Sequence, residues 1–512
     1  MSSTLDRLNR LGPARLLGMR RGIEKESLRS HPSGALARTP HPAGLGSALT
    51  HPSITTDYSE SQLELITGVH ALPEDALTEL THIHQYTYRT LAAQGDEQLW
   101  VGSMPCGLPP DENIPIGSYG SSNIARAKSV YRMGLGHRYG RRMQTISGIH
   151  YNWSLPGLSN DEHFALIRNF RRHAFLLLTL FGASPSVCLS FVAGREHGLQ
   201  RLNEHTLYQP HATSLRMGRL GYQSDAQATL AVSYNSLESY AASLQVALTQ
   251  PYAPYEAIGI KNLGGEYNQL ATTLLQIENE FYGTIRPKRV IRPGERPLHA
   301  LRQRGVEYIE VRCMDLDPFV PVGIAAPTLR FLDVFLLHCL LHDSAPDTPE
   351  EIAALGRNQH RTASHGREPG LKLERAGREV TLVDWAVELL DQCAPLAESL
   401  DSAHGSTHGS TDYSASVHAA RAGLARMDTL PSARVLATMK ADFASSYTAF
   451  IRAQSVQTRQ HLMALPWASE QQAAFEALAR ESVDKRRAIE AADTVDFETF
   501  RQGYLAPQNL VV

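Results

Sequence analysis

"TTDYSESQLELIT", residues 55–67, decides the fold because its second half is a strand with an acid on one face. Aliphatic and β-branched residues predominate from position 62 to 67, and strand side chains alternate between the two faces of a sheet. Leu63 and Leu65 therefore face one way and Glu64 faces the other. A lone acid of this kind is typical of the solvent face of a half-buried strand. The interpretation of Glu64 thus depends on whether other strands repeat the arrangement.

Three further segments repeat it: "GIEKESLR" (22–29), "GVEYIEVRCMDLDPF" (305–319) and "LLQIENEFYGTIRPKR" (274–289). In each, charged residues two positions apart would leave the same face of a strand. The residues concerned are Glu24 and Glu26 in the first segment, Glu310 and Arg312 in the second, and Glu278 and Glu280 in the third, where Arg286, Lys288 and Arg289 follow.

Carboxylates that converge on one cavity are destabilised by desolvation and mutual repulsion unless cations compensate them. Mg²⁺ supplies that compensation, because it prefers oxygen ligands and is commonly held by a few carboxylates together with substrate phosphates. Arg312 and the basic run 286–289 would then bind the phosphates. The repeated strand pattern therefore predicts a magnesium and phosphate site.

The stretch 114–156 contains a Gly/Ser-rich loop, a basic helix and a strand in which His150, Asn152 and Ser154 share a face. The loop and the start of the helix could bind an anion through backbone amides. No G-x-x-x-x-G-K-[ST] signature is present, so a P-loop is not predicted. A lone histidine is usually structural, but beside an acidic cavity His150 is a candidate metal ligand or charge stabiliser.

The composition excludes several classes of protein. With 512 residues, 42% of them hydrophobic and 20% charged, the chain is long enough for one large core or two to three domains. A formal net charge of -3 gives no electrostatic footprint for nucleic acid or an acidic membrane. The longest apolar run, residues 174–181, is too short to span a bilayer and too far from the start for a signal peptide. A cytoplasmic protein is expected.

Two further features give predictions about local structure. The five cysteines are scattered, with no C-x-x-C pair, which favours reduced, packed thiols over a disulfide framework or a zinc site. Beyond about Thr328 the pattern is helical. Within that region, the Ser-, Gly- and His-rich stretch 401–420 predicts a flexible surface loop more simply than a metal-binding tract.

Many segments in order resemble the proteobacterial glutamate–cysteine ligases, also called γ-glutamylcysteine synthetases. The resemblance runs from about residue 14 to 345 and continues weakly through the helical tail, which predicts a catalytic core at 14–345 and a mainly helical region at 346–512. The end of the chain leaves no room for an appended ATP-grasp domain, so a single ligation step is expected. The segments are GIEKESLR (22–29), TDYSESQLELIT (56–67), SMPC (103–106), MQTISGIHYNWSLP (143–156), FGASP (181–185), ATSLR (212–216), QIENEFY (276–282), IRPKR (285–289) and VEYIEVR (306–312).

The resemblance implies an α+β fold, a glutamine-synthetase-like antiparallel sheet curved into a funnel-shaped active site and surrounded by helices. It also implies an ATP- and Mg²⁺-dependent ligase, with Mn²⁺ as a substitute. ATP would phosphorylate the γ-carboxylate of L-glutamate, and the amine of L-cysteine would displace phosphate to give γ-glutamylcysteine, the first step of glutathione synthesis. Glutathione is expected as a feedback inhibitor, because it contains the γ-glutamylcysteine unit.

Carried onto this sequence, the resemblance assigns roles to individual residues. Arg312 would contact the γ-phosphate and stabilise the transition state, and His150 would share in catalysis. Glu60 is not picked out and is interpreted as a neighbour. The tyrosines among the residues named below could instead simply pack in the core with a satisfied hydroxyl. The metal ligands would be Glu24, Glu26, Asp57, Glu64, His150 and Glu310; the phosphate- and ATP-binding residues Arg286, Lys288, Arg289 and Arg312; and the substrate-binding residues Tyr58, Tyr131, Arg132, Gln144, Arg216, Tyr222 and Tyr282.

Two other functions fit the same acids. One is a ligase of the same fold that uses a different amine, for which only the acceptor pocket would differ. The other is a two-metal phosphohydrolase, since clustered acids with Arg and His serve that chemistry too. A non-catalytic binding protein is disfavoured, because it leaves so many inward-facing like charges unexplained.

Overall fold

The computed structural model describes residues 4–93, 95–221, 225–228, 230–292, 294–408 and 412–510. The strands are β1 (Arg20–Ser30), β2 (Ile54–Thr56), β3 (Gln62–Ile66), β4 (Gln98–Leu99), β5 (Ile149–Ser154), β6 (Ser186–Cys188), β7 (Gln200–Arg201), β8 (Thr206–Tyr208), β9 (Ile285–Lys288), β10 (Tyr308–Met314), β11 (Lys372–Arg375) and β12 (Arg378–Thr381).

The α-helices precede, connect and follow these strands. They are α1 (Thr4–Leu17), α2 (Pro73–Ala93), α3 (Asn123–Tyr139), α4 (Asn160–Phe181), α5 (Leu189–Val192), α6 (Asp225–Ala228), α7 (Leu237–Thr249), α8 (Ala253–Ile258), α9 (Pro297–Arg304), α10 (Ala326–Leu341), α11 (Pro349–His365), α12 (Leu382–His408), α13 (Tyr413–Ala425), α14 (Pro431–Asp442), α15 (Tyr447–Ala464), α16 (Ser469–Ala492) and α17 (Phe497–Leu505). Within the described ranges, no helix is both long and apolar enough to cross a membrane.

A seven-stranded sheet organises the fold, in the order β2-β3-β1-β5-β10-β9, with β4 also paired to β1. All of its pairings are antiparallel. Smaller sheets are formed by β6, β8 and β7 and by β11 and β12. The α+β class and the antiparallel sheet predicted from the sequence are confirmed.

The two faces of the main sheet differ in chemistry. Ile23, Leu65, Tyr151 and Val311 are fully buried on one face, against a layer that includes α2, α4 and α10. Each buried aliphatic side chain contributes about 1.5–3 kcal/mol, so this face fixes which way every strand is turned. A slip of one residue would move the entire apolar set to the wrong side. The intervening charged side chains are thereby held on the opposite face.

The strand register brings those charged residues side by side. Glu26 on β1 lies directly opposite Glu64 on β3, and Glu24 lies opposite His150 on β5. On β10, Glu310 lies opposite Asn152 of β5 on one side and Arg286 of β9 on the other. Like charges directly opposite each other destabilise a sheet, so this alignment is not explained by stability.

The prediction that Glu278 and Glu280 lie on a strand is wrong. Residues Glu278–Glu280 form a 3₁₀-helix instead. Glu278 pairs with Arg296 at 2.8 Å and Glu280 with Arg138 at 2.8 Å, so both carboxylates are neutralised by structural ion pairs. The two-residue spacing could not distinguish these acids from those on strands, because their partners are distant in sequence.

The predicted flexible loop at 401–420 is also wrong. Most of it belongs to the end of α12 and the start of α13, and only residues 409–411 lie outside the described part. The carboxylate of Asp401 accepts hydrogen bonds from the backbone amides of Tyr413 and Ser414, at 2.8 and 2.9 Å. Ala403 and His404 are buried. Packing and capping therefore override the loop-like composition.

The cysteine prediction needs one correction. Cys106 and Cys188, 82 residues apart in sequence, form a disulfide in the structure. The other three cysteines, Cys313, Cys339 and Cys393, are buried free thiols, as predicted. A pairing between a loop and β6 leaves no spacing signature in the sequence.

A buried ion pair joins the sheet to the helices behind it. Arg21 on β1 and Asp333 on α10 lie 3.0 Å apart, and both side chains are 0% exposed. Tyr151 on β5 and Tyr413 on α13 donate hydrogen bonds to the same carboxylate, at 2.6 and 3.3 Å. Four elements thus meet at Asp333.

We expect Asp333→Ala to lower the free energy of unfolding by about 3–5 kcal/mol, because it leaves the Arg21 cation buried without its counter-ion. Urea denaturation followed by circular dichroism measures the loss. Asp343→Ala is the control: its partner Arg7 lies at the surface, where a pair contributes about 0–1 kcal/mol. Equal losses in the two variants would contradict a special role for Asp333.

Candidate active site

A cavity of about 820 Å³ opens on the charged face of the main sheet. Strands β1, β3, β5, β9 and β10 form its floor, and side chains of α3 and of the C-terminal helices form its walls. It brings together most of the residues singled out in the sequence: Glu24, Glu26, Asp57, Tyr58, Glu64, Tyr131, Arg132, Gln144, His150, Tyr282, Arg286, Lys288, Glu310 and Arg312.

His150 occupies the centre of the acidic cluster. Its Nδ1 lies 3.1 Å from Glu24 and 3.8 Å from Glu310, and its Nε2 lies 3.6 Å from Glu26. Two sets of donor atoms result, each within 4.8 Å of one another: Glu24, His150 and Glu310, and Glu26, Glu64 and His150. The two sets share His150 and come from four adjacent strands.

Asp57 stands slightly apart from these sets. It lines the cavity, and its charge acts on Glu26 and Glu64, but it does not join either set of converging donors. It follows β2, where its backbone carbonyl accepts a hydrogen bond from Arg132. The charge is therefore close to the cluster without being packed into it.

Two of the carboxyls are held in an unfavourable state. Burial raises the pKa of Glu26 to about 8, and the neighbouring charge of Asp57 adds to this effect. Burial, followed by the charges of Glu24 and Asp57, raises the pKa of Glu64 well above its ordinary value. This part of the cavity has more negative charge than the protein itself compensates.

The other two carboxyls are stabilised as anions. Burial opposes the ionisation of Glu310, but Lys288 at 3.1 Å and Arg312 at 3.0 Å outweigh it and lower the pKa well below its usual range. Burial likewise opposes the ionisation of Glu24, and its hydrogen bond with His150 turns the shift downward. Burial and the charge of Arg312 lower the pKa of His150, which favours the neutral form of its ring.

Strand alternation places only part of the basic run 286–289 in the cavity. Arg286 and Lys288 line the cavity, and Arg286 also donates to the carbonyls of Asn279 and Phe281. Arg289 does not reach the cavity. Instead it donates to the carbonyl of Arg304 at 2.6 Å, because its position one residue past Lys288 turns it the other way.

The predicted substrate-binding residues form one wall, with two exceptions. Gln144 donates to the hydroxyl of Tyr282 at 2.8 Å, which fixes both side chains. Arg216 lies in a smaller adjoining cavity of about 80 Å³, beside Tyr282 and Arg312, where it donates to the Arg312 carbonyl at 2.8 Å. Tyr222 lies outside the described residues.

The anion site predicted at the Gly/Ser loop is not supported. The amides of Ser121 and Asn123, at the start of α3, donate to the carboxylates of Glu490 and Asp493 at 3.0 and 2.6 Å. Protein carboxylates thus occupy the place proposed for a ligand. Glu60 is likewise structural, since its carboxylate accepts from the amides of His41 and Ser118.

Several cavity residues were missed in the sequence. Lys128 on α3 lines the cavity, and burial lowers its pKa to about 8. Its spacing from Tyr131, Arg132 and Leu135, at i+3, i+4 and i+7, is a helical face that could have revealed it. Other lining residues come from the C-terminal region and have no local signal: Ile489, Asp493, Phe500 and Tyr504.

Comparison with known proteins assigns the family. A family model described as glutamate–cysteine ligase matches residues 7–362. The chain belongs to this family. The predicted function, ATP-dependent formation of γ-glutamylcysteine in glutathione synthesis, is thereby confirmed, and the hydrolase and binding-protein hypotheses are not supported.

Relatives and solved structures cover nearly the whole chain. The glutamate–cysteine ligase of Azotobacter vinelandii is 48% identical over 506 residues, 95% of this chain and 94% of that protein. The crystal structure of the Francisella tularensis glutamate–cysteine ligase in complex with AMP has a TM-score of 0.89 and 35% identity, and covers 96% of this chain and 98% of that one.

A bifunctional glutathione synthetase from Pasteurella multocida shares the fold alone. It has a TM-score of 0.71 at 24% identity, and the match covers 93% of this chain and 58% of that chain.

Gly148 connects the acidic cluster to Arg216 and provides a test of the site. Its amide donates to Glu26 at 2.7 Å, and a β-carbon at this position would overlap the guanidinium of Arg216. We expect Gly148→Ala to raise the KM of an amino-acid substrate and to lower kcat/KM at least tenfold, as about 1.4 kcal/mol of lost transition-state binding would do. Steady-state kinetics with circular dichroism measures both effects.

Gly198→Ala is the matched control, because no atom lies within 4 Å of the added carbon. It should retain wild-type kinetics. If Gly148→Ala also retained them, Arg216 would not be positioned by the close approach of Gly148.

Proposed function

We propose that the two sets of converging donors hold two Mg²⁺ ions during ligation of glutamate to cysteine. One ion would be bound by Glu26, Glu64 and the Nε2 lone pair of His150, and the other by Glu24 and Glu310, because a neutral His150 has one lone pair and its Nδ1–H donates to Glu24. The observation that carries the proposal is the alignment of four carboxyls, from strands β1, β3 and β10, around the imidazole of His150 on β5. Asp57, at the edge of the cluster, is proposed to hold water molecules or substrate groups that complete the coordination of the ions.

The donor chemistry fits such ions. Carboxylate oxygens are hard ligands of the kind that Mg²⁺ selects, and Mn²⁺ accepts the same oxygens together with imidazole. The raised pKa values of Glu26 and Glu64 indicate a place where added positive charge would be stabilising. When bound, the ions would neutralise the phosphates of ATP and the charge that develops during phosphoryl transfer.

The cationic side chains are proposed to orient ATP. Lys288 and Arg312 flank Glu310 and line the cavity, so their positive charges lie where phosphate oxygens would bind beside the proposed ions. Arg286 lines the same cavity. For the nucleoside we propose the partly exposed rim with Ile291, Phe500 and Tyr504, which also lines the cavity.

The amino-acid substrates are proposed to occupy the part of the cavity lined by the predicted substrate-binding residues. There Tyr58, Tyr131, Arg132, Gln144 and Tyr282 line the cavity, and the adjoining small cavity presents Arg216. The hydroxyl of Tyr58 is buried and has no hydrogen-bond partner among the described residues, so a substrate carboxylate or amine would satisfy it. A guanidinium at Arg216 suits a substrate carboxylate.

We expect Glu64→Gln to raise the Mg²⁺ concentration needed for half-maximal phosphate release and to slow turnover at least tenfold. One ligand charge is removed from the second set, while the size of the side chain is kept. Without metal, the variant should melt at or above the temperature of the wild type, because repulsion with Glu26 is relieved. Phosphate release across a Mg²⁺ series and melting curves in chelator provide the two measurements.

Glu60→Gln is the control. It makes the same chemical change four residues before Glu64, at a side chain that does not line the cavity. It should lower stability, because glutamine has one acceptor oxygen for the two backbone amides that Glu60 satisfies, and it should leave the Mg²⁺ requirement unchanged. Unchanged Mg²⁺ dependence in Glu64→Gln would remove Glu64 from the ligands.

Feedback inhibition by glutathione is proposed to act in the same cavity. Its γ-glutamylcysteine unit would fill both amino-acid subsites, so glutathione should raise the KM of glutamate without changing kcat. Initial rates over a matrix of glutamate and glutathione concentrations test this overlap. A fall in kcat at constant KM would indicate a separate inhibitory site.

A further inference from the structure

A second cluster of metal-ligating side chains lies behind the sheet, away from the catalytic cavity. His173 on α4 and His338 and Cys339 on α10 each direct one donor atom to within 4.8 Å of the others. His338 and Cys339 are 0% exposed, and His173 is partly exposed. The cluster is therefore enclosed on one side and reachable from the other.

The hydrogen bonds around His338 determine which nitrogen is available. Its Nε2 lies 2.8 Å from the side-chain oxygen of Gln392 on α12, an acceptor, so Nε2 carries the proton. Nδ1 is left with a lone pair, and it is buried with no partner among the described residues. A hydrogen-bond acceptor that fixes the tautomer of a metal-binding histidine in this way is a regular feature of metal sites.

His173 presents a similar atom. Its Nδ1 is also buried without a hydrogen-bond partner in the described part of the chain. Its ring lies 5.5 Å from that of His338 and packs edge-on against Trp385 at 6.1 Å, which limits its rotation. Burial lowers the pKa of both imidazoles, to about 3 for His338, so each ring is neutral.

The charges around the cluster are already balanced. Arg172 makes two hydrogen bonds to Glu351, at 2.7 and 2.8 Å, and Arg375 makes two to Glu388, at 2.6 and 2.7 Å. Neither guanidinium therefore adds an uncompensated positive charge next to the donors. Two unsatisfied imidazole nitrogens beside a thiol remain.

We propose that His173, His338 and Cys339 form a binding site for a transition-metal ion of the Zn²⁺ type. Two nitrogens and one sulfur are the donor set that such ions prefer, and they leave one position for water or another group in a tetrahedral arrangement. The thiol of Cys339 would release its proton to solvent as the metal–sulfur bond forms. Bound metal would join α4 to α10, the two helices that support the catalytic sheet.

Cobalt substitution distinguishes this site from the catalytic one. The metal-stripped full-length enzyme is titrated with Co²⁺, and absorption from thiolate-to-cobalt charge transfer is recorded. We expect one equivalent to produce this band, since the catalytic cavity has no cysteine among its lining residues. Zn²⁺ should abolish the band by displacement and raise the melting temperature by a few degrees.

Cys339→Ser should lose the band and bind zinc at least tenfold more weakly, while retaining Mg²⁺-dependent ligase activity. Cys313→Ser, at a buried free thiol on β10, is the matched control and should retain the band. If Cys339→Ser fails to fold, His173→Asn at the partly exposed ligand replaces it. Absence of the band in the wild-type enzyme, or its persistence in Cys339→Ser, would overturn the proposal.

Discussion

Mutual repulsion among the carboxyls on one face of the main sheet is the constraint on which the rest of this structure depends. Glu26 and Glu64 lie directly opposite each other, and Glu24 and Glu310 lie within reach of the same imidazole. No gain in stability explains such an alignment. The folding energy must come from elsewhere, and the opposite face, packed on a nearly continuous apolar layer, provides it. The strands are thus held in a register that isolated strands would avoid.

Strand β1 alone shows the same contrast between a charged face and a face packed in the core. Glu24 and Glu26 project into the cavity, whereas Ile23 and Lys25 project into the core. Arg21, near the start of the strand, is tied through Asp333 to α10, and Tyr151 ties the neighbouring strand to the same carboxylate. A geometry that places repelling charges in contact therefore rests on a buried ionic contact on the other side of the sheet.

The sequence predicted those parts of the site that depend on local periodicity. Strand alternation identified Glu24, Glu26, Glu64, His150 and Glu310, because both faces of a strand can be read from neighbouring residues. It could not exclude Glu278 and Glu280, whose partners Arg296 and Arg138 come from distant segments. Asp493 and Tyr504 reach the cavity only through tertiary folding, so the division at residue 345 stays a prediction and does not isolate the site. Strand alternation also predicts that Arg289, one residue after Lys288, faces away from the cavity, so the sequence could have excluded it from the phosphate-binding residues.

The use of histidine at position 150 follows from the arrangement of the charges. This residue is the point where the two donor sets meet, so a carboxylate there would add a fifth negative charge within 4 Å of three others. An amide would offer a weaker donor. Burial and the charge of Arg312 lower the pKa of the imidazole, which favours a side chain that does not add to the repulsion among the carboxyls. An uncharged side chain thus stands where an additional anion would be most costly.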